Sequence, residues 1–71
     1  MRREELEAQI TALLKSHGSL SVAFITRFLN ERGVSCTRQL VERTLRRMIS
    51  AGRVEVFYIN GNRRKHYRLR G

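Results

Sequence analysis

The chain has 71 residues, 41% of them hydrophobic and 30% charged, with a formal net charge of +9. A chain this short buries only about 60% of the surface its unfolded form exposes, leaving room for one thin core and little space for a buried substrate cavity. No apolar run approaches the ~20 residues that a membrane span needs, nothing resembles a signal peptide, and the single cysteine, Cys36, excludes an internal disulfide.

Leu6, Ile10, Leu13 and Leu14 recur at i, i+4, i+7 and i+8, which predicts an amphipathic helix over about 4–17. Glutamates crowd its first turn, Lys15 and His17 its last, matching the helix dipole. Gly18 fits the left-handed position that ends helices. Ser19-Leu20-Ser21 reads as a short extended stretch with Leu20 turned to the core. Ser21 is the expected N-cap of a second helix, about 21–32, in which Val22, Ile25 and Leu29 face inward and Phe24 and Phe28 widen the stripe. Gly33 stops this helix, and Val34 follows as a core residue.

Either Ser35 or Thr37 caps a third helix over about 37–50, where Val41, Leu45, Met48 and Ile49 repeat the helical spacing. Its other face shows Arg38, Gln39, Glu42, Arg43, Arg46 and Arg47. Ala51-Gly52 ends it. The period then changes to two, predicting strands over about 53–59 and 64–70 around a turn at Asn60-Gly61-Asn62. A four-residue loop from Asn60 to Arg63 would pair Val54 with Leu69, Glu55 with Arg68 and Val56 with Tyr67. A two-residue Asn60-Gly61 turn keeps the same faces with other partners.

The positive charge is lopsided. Residues 1–35 carry five bases and four acids, whereas residues 36–71 carry ten bases against Glu42 and Glu55. Nine of those ten are arginine, whose planar fork suits bidentate contacts to phosphate and guanine. Such a field attracts polyanions. Arg38 and Gln39, with Glu42 and Arg43 one turn later, are residue types that read guanine, adenine and cytosine edges, and Arg46 and Arg47 suit phosphate. Ser19, Ser21 and the amides at the start of the second helix suit another phosphate. Asn62, Arg63, Arg64, Lys65 and His66 put a second basic group at the hairpin tip, suited to a minor groove or the backbone.

Helix, short strand, helix, turn, helix and hairpin follow one another in this chain. In the stretch Leu20-Ser21, Ile25, Leu29, Gly33-Val34-Ser35, Val41, Leu45, Met48 and Ala51-Gly52-Arg53-Val54 it resembles the winged helix-turn-helix family. The turn before the third helix is about a residue longer than the family's usual one. The resemblance implies an α+β fold spanning residues 1–71 as one domain, with three helices and a C-terminal two-stranded wing. It also implies a third helix, led by Thr37, lying in the major groove of duplex DNA.

The expected function is therefore that of a small DNA-binding regulator of transcription or replication, intracellular and either cytoplasmic or nucleoid-associated. Alternatives keep the fold but bind structured RNA, or serve as a protein-interaction module. Phe24, Phe28, Phe57 and Ile59 exceed what one small core can bury, so they are either covered by the first helix or form a dimer or partner surface. No cofactor, metal, membrane or small-molecule substrate is expected. Cys36, His17 and His66 lack ligand spacing, and the chain shows no paired carboxylate, nucleophile-base set or phosphate-cradling glycine loop of an enzyme. Cys36 is expected to be an inert small residue at the helix entrance; the alternative is a redox switch, with the thiol's pKa depressed by Arg38 and the helix start. Tyr58 and Tyr67 are expected to pack on the wing face.

Overall fold

The computed structural model describes residues 2–59 and 64–71. The elements are α1 (Arg3–His17), β1 (Ser19–Ser21), α2 (Val22–Glu31), α3 (Arg38–Ser50), β2 (Val54–Tyr58) and β3 (Lys65–Leu69), an α+β arrangement of three helices and one antiparallel sheet.

Each helix end has a local cause. Gly18 takes φ +83°, and its N–H donates to the Leu14 carbonyl at 2.8 Å, closing α1. Ser21 has extended backbone and its Oγ accepts from the Phe24 N–H at 3.4 Å, opening α2. The arginine-rich α3 stops at Ala51, where the Ala51 N–H returns to the Arg47 carbonyl at 2.9 Å.

The predicted apolar stripes meet in one core. Ile10, Ile25, Leu29, Val41 and Leu45 have no exposed surface, and Leu6, Leu13, Leu14, Met48, Val54 and Tyr67 are buried beside them. Burying each such aliphatic side chain contributes roughly 1.5–3 kcal/mol. Two buried threonines also belong here: Thr26 and Thr44 donate their hydroxyls to the Val22 and Leu40 carbonyls, each at 2.8 Å, so neither leaves an unmade hydrogen bond. Ile49, Val34 and Leu69 are only partly buried against this core.

The sheet corrects the expectation of a two-stranded wing. It has three strands in the order β1-β3-β2, because β1 pairs antiparallel with β3: Ser19 with Arg68, Leu20 with Tyr67 and Ser21 with His66. Three residues are too few to reveal a period, and their partner lies near the other end of the chain. Yet Leu20 carries backbone polar groups toward the interior, where they must be paired. The hairpin takes the register of the four-residue loop, with Val54 opposite Leu69, Glu55 opposite Arg68 and Val56 opposite Tyr67; Phe57–His66 and Tyr58–Lys65 follow.

The inner face of the hairpin is covered only at its base. Val54 is 1% exposed, but Val56 is 40% and Tyr58 57% exposed, so the expected packing of Tyr58 is not found. Tyr67, in the middle strand, is buried as predicted. Among the described residues, no helix is long and apolar enough to cross a membrane.

Candidate nucleic-acid interface

The start of α3 is fixed by two devices. Gly33 (φ +83°) turns the chain out of α2, and the Val34 N–H returns to the Leu29 carbonyl at 2.9 Å. Asn30 then holds the backbone of Cys36. Thr37 is the cap, its Oγ1 accepting from the Leu40 N–H at 3.1 Å, and Arg38 is the first helical residue. Ser35, the other candidate cap, is exposed and does not cap.

From this start the side chains follow at about 100° per residue. Val41, Thr44, Leu45 and Met48 define the inward direction. Gln39, Arg43 and Arg46 face directly away from it and are exposed. With Glu42 they line one open depression of about 460 Å³. Arg38 and Arg47, expected on the same face, lie on opposite flanks. Arg38 turns toward the start of α2, while Arg47 shares a cavity of about 230 Å³ with Arg3, Leu6, Ser35, Leu40 and Thr44. Leu40, 40% exposed beside Arg47, escaped the sequence reading because its position borders the apolar stripe.

The flank at Arg38 opens on a cavity of about 400 Å³ lined by Ser21, Val22 and Ala23 with Arg38, Arg64 and Lys65. The starts of α3 and β3, with Arg64 just before β3, thus bring three cations to the positive end of α2. Ser21 Oγ serves the Phe24 amide, so the Val22 and Ala23 amides are donors without a partner inside the helix. The two serines predicted to act together part company. Ser21 is buried and lines both this cavity and a groove beside Phe24 and Phe28, whereas Ser19, opposite Arg68 in the sheet, lines only that groove.

Among the described residues, no carboxylate forms an ion pair with an α3 cation. Ion pairs join Arg27 to Glu31 at 3.2 Å, Arg53 to Glu7 at 2.8 Å and Arg68 to Glu55. Arg53 thereby ties the base of the hairpin to α1. Glu42 stands one turn from both Arg38 and Arg46 and pairs with neither among the described residues. It lies close enough to Tyr67 to act on it: burial raises the Tyr67 pKa above its ordinary value, Glu42 and Tyr58 raise it further, and Arg46 opposes them. Glu42, Arg46, Tyr58 and Tyr67 therefore gather between α3 and the hairpin.

Of the predicted hairpin group, Arg64 and Lys65 are exposed and His66 is half-buried. His66 Nδ1 donates to the Arg64 carbonyl at 3.1 Å, and its ring lies 5.9 Å from that of Phe57. Asn62 and Arg63 lie outside the described residues.

The four surplus apolar residues divide. Phe28 stacks on His17 at 4.9 Å and on Phe24 at 6.1 Å, so the end of α1 covers Phe28 in part. Phe24, Phe28 and Ile59 line one groove with His17 and His66, leaving Phe24 44% and Ile59 46% exposed. Phe57 is half-buried under the Arg68 guanidinium, 4.6 Å from its ring centre. Cys36 is half-buried, and desolvation raises its pKa, opposite to the depression that the redox alternative requires. Among the described residues, no group of three or more histidine, cysteine or acidic side chains is placed to hold a metal ion.

No family model matches this chain, and no curated protein or solved structure is significantly similar to it.

Proposed function

We propose that the chain is a DNA-binding module of the winged-helix kind, a small regulator of transcription or replication, with α3 in the major groove and the hairpin on the backbone or minor groove. The observation that carries this reading is the pairing pattern. Among the described residues, the carboxylates that form ion pairs do so with Arg27, Arg53 and Arg68, while the exposed Arg38, Arg43 and Arg46 pair with none. Like charges held together with only Glu42 among them raise the energy of the free protein, and a polyanion relieves that cost. In this reading Gln39 and Arg43 reach base edges, Arg46 a phosphate, and the cavity of Arg38, Arg64 and Lys65 at the start of α2 takes a second phosphate. Thr37 fixes the onset of α3, and Ser21 that of α2. Arg47, on the far flank beside Arg3, contributes to general attraction.

A second reading, a protein-interaction module, draws on the groove of Phe24, Phe28 and Ile59. Selection of bound sites from random duplex DNA at ~150 mM salt, with duplex RNA of matched sequence as competitor, separates the readings, because weak ionic contacts are damped at that salt. Enrichment of a motif resistant to the RNA competitor supports sequence-preferring DNA binding. Tighter RNA binding, or no retained nucleic acid at all, overturns it.

A further inference from the structure

The sheet order β1-β3-β2 leaves β2 with a neighbour on one side only. The Arg70 N–H donates to the Arg53 carbonyl at 2.9 Å, which fixes the alternation of the antiparallel ladder. Arg53, Glu55 and Phe57 turn their backbone groups toward β3, and Val54, Val56 and Tyr58 turn theirs outward. Among the described residues, the backbone hydrogen bonds made outside the regular elements involve none of these three outward residues.

Natural edge strands are guarded by lysine, proline, a bulge or a covering element. The β2 strand, Val-Glu-Val-Phe-Tyr, has no lysine, arginine or proline. Its one charge, Glu55, is already paired with Arg68. Val56 and Tyr58 stand open at its end. By contrast, β1 is three residues long, joined to α1 through Gly18 and directly to α2. In a chain of net charge +9, the β2 edge is a neutral strip with unmet hydrogen-bonding groups.

We infer that β2 is a dimerisation edge, pairing antiparallel with β2 of a second copy about a two-fold axis at Val56. The strand is complementary to itself in that register. Val54 falls opposite the partner's Tyr58, Glu55 opposite the partner's Phe57, and the two carboxylates never face each other. The result is one continuous six-stranded sheet. Charge selects the occupant: two strongly basic copies meet with least repulsion along a neutral edge, whereas an acidic partner finds no cation on β2 to answer it. Five paired residues bury less than the about 1,200 Å² of a stable interface, so the dimer is weak and depends on concentration. This inference does not rest on nucleic-acid binding.

Sedimentation equilibrium of the whole chain, without nucleic acid, tests it. The apparent mass of the wild type rises toward twice the monomer mass as concentration approaches about 1 mM. Val56→Lys, at an exposed position, remains monomeric with an unchanged circular dichroism spectrum. Independently, Val56→Cys in a Cys36→Ser background forms an intermolecular disulfide under mild oxidation, because hydrogen-bonded partners across a ladder lie about 5.5 Å apart at Cα, within disulfide reach. Ser50→Cys in the same background does not. A wild type that stays monomeric throughout, a Val56→Lys variant that dimerises like the wild type, or equal cross-linking from positions 50 and 56 overturns the inference.

Discussion

The side-chain amide of Asn30 holds the backbone of Cys36 from both sides, its Oδ1 accepting from the Cys36 N–H at 3.5 Å and its Nδ2 donating to the Cys36 carbonyl at 3.3 Å. Nδ2 also donates to the Thr26 carbonyl at 2.9 Å, so one side chain ties the end of α2 to the approach of α3. Asn30→Ala loses all three contacts and is expected to cost about 1–2 kcal/mol, given the modest net worth of partly exposed hydrogen bonds. Asn30→Asp does not rescue it, because a carboxylate there would face the Thr26 and Cys36 carbonyls. Urea unfolding of the three proteins measures this, and an Asp variant as stable as wild type would contradict it.

The α3 cap gives a sharper contrast. Thr37→Ala removes the acceptor of the Leu40 amide and should lower stability by about 1 kcal/mol, while Thr37→Ser retains it. Ser35→Ala should stay within about 0.5 kcal/mol of wild type, as exposed substitutions do. Thermal unfolding of the pair distinguishes the two serine/threonine positions that the sequence left equivalent.

Alkaline pH reaches the junction of α3 and the hairpin through Tyr67. Burial, Glu42 and Tyr58 hold its pKa above the ordinary 10.0, so folding favours the protonated phenol. This contribution is complete below the unfolded-state value and is lost as pH rises through the folded-state value. Unfolding free energy should therefore fall above about pH 10 in the wild type and fall less steeply in Tyr67→Phe. Equal slopes would show that Tyr67 is not the group responsible.

How much was legible in the sequence follows from how local each cause is. Stripes such as Leu6-Ile10-Leu13-Leu14 repeat at helical spacing and all four residues are buried as predicted. The faces of the hairpin were legible, but two loop lengths kept them whole, and the structure takes the register that opposes Glu55 to Arg68. The short strand at Ser19–Ser21 was expected, but its pairing with β3 was not legible, since a three-residue segment finds its partner only once the chain has folded. The candidate site divides in the same way. Composition marked α3 as cationic, but helix rotation separates Arg38, Arg43 with Arg46, and Arg47 into different surroundings, and a single-face picture misses that. Exposure of Val56 and Tyr58 was hidden for another reason: alternation gives the face a residue occupies, not how far the helices extend over that face.

The proposed DNA binding turns on α3 guanidinium groups that, among the described residues, form no ion pair. Fluorescence anisotropy of a labelled duplex, titrated with protein at several salt concentrations, tests it most directly. The account predicts that affinity falls linearly with salt on logarithmic axes, and that Arg43→Ala and Arg46→Ala each weaken binding, Arg46→Ala reducing that slope by about 1. Arg27→Ala, which removes a cation already paired with Glu31 on α2, should leave the slope within about 0.3 of wild type. Equal effects from Arg27, Arg43 and Arg46, or no binding at low salt, would contradict the claim.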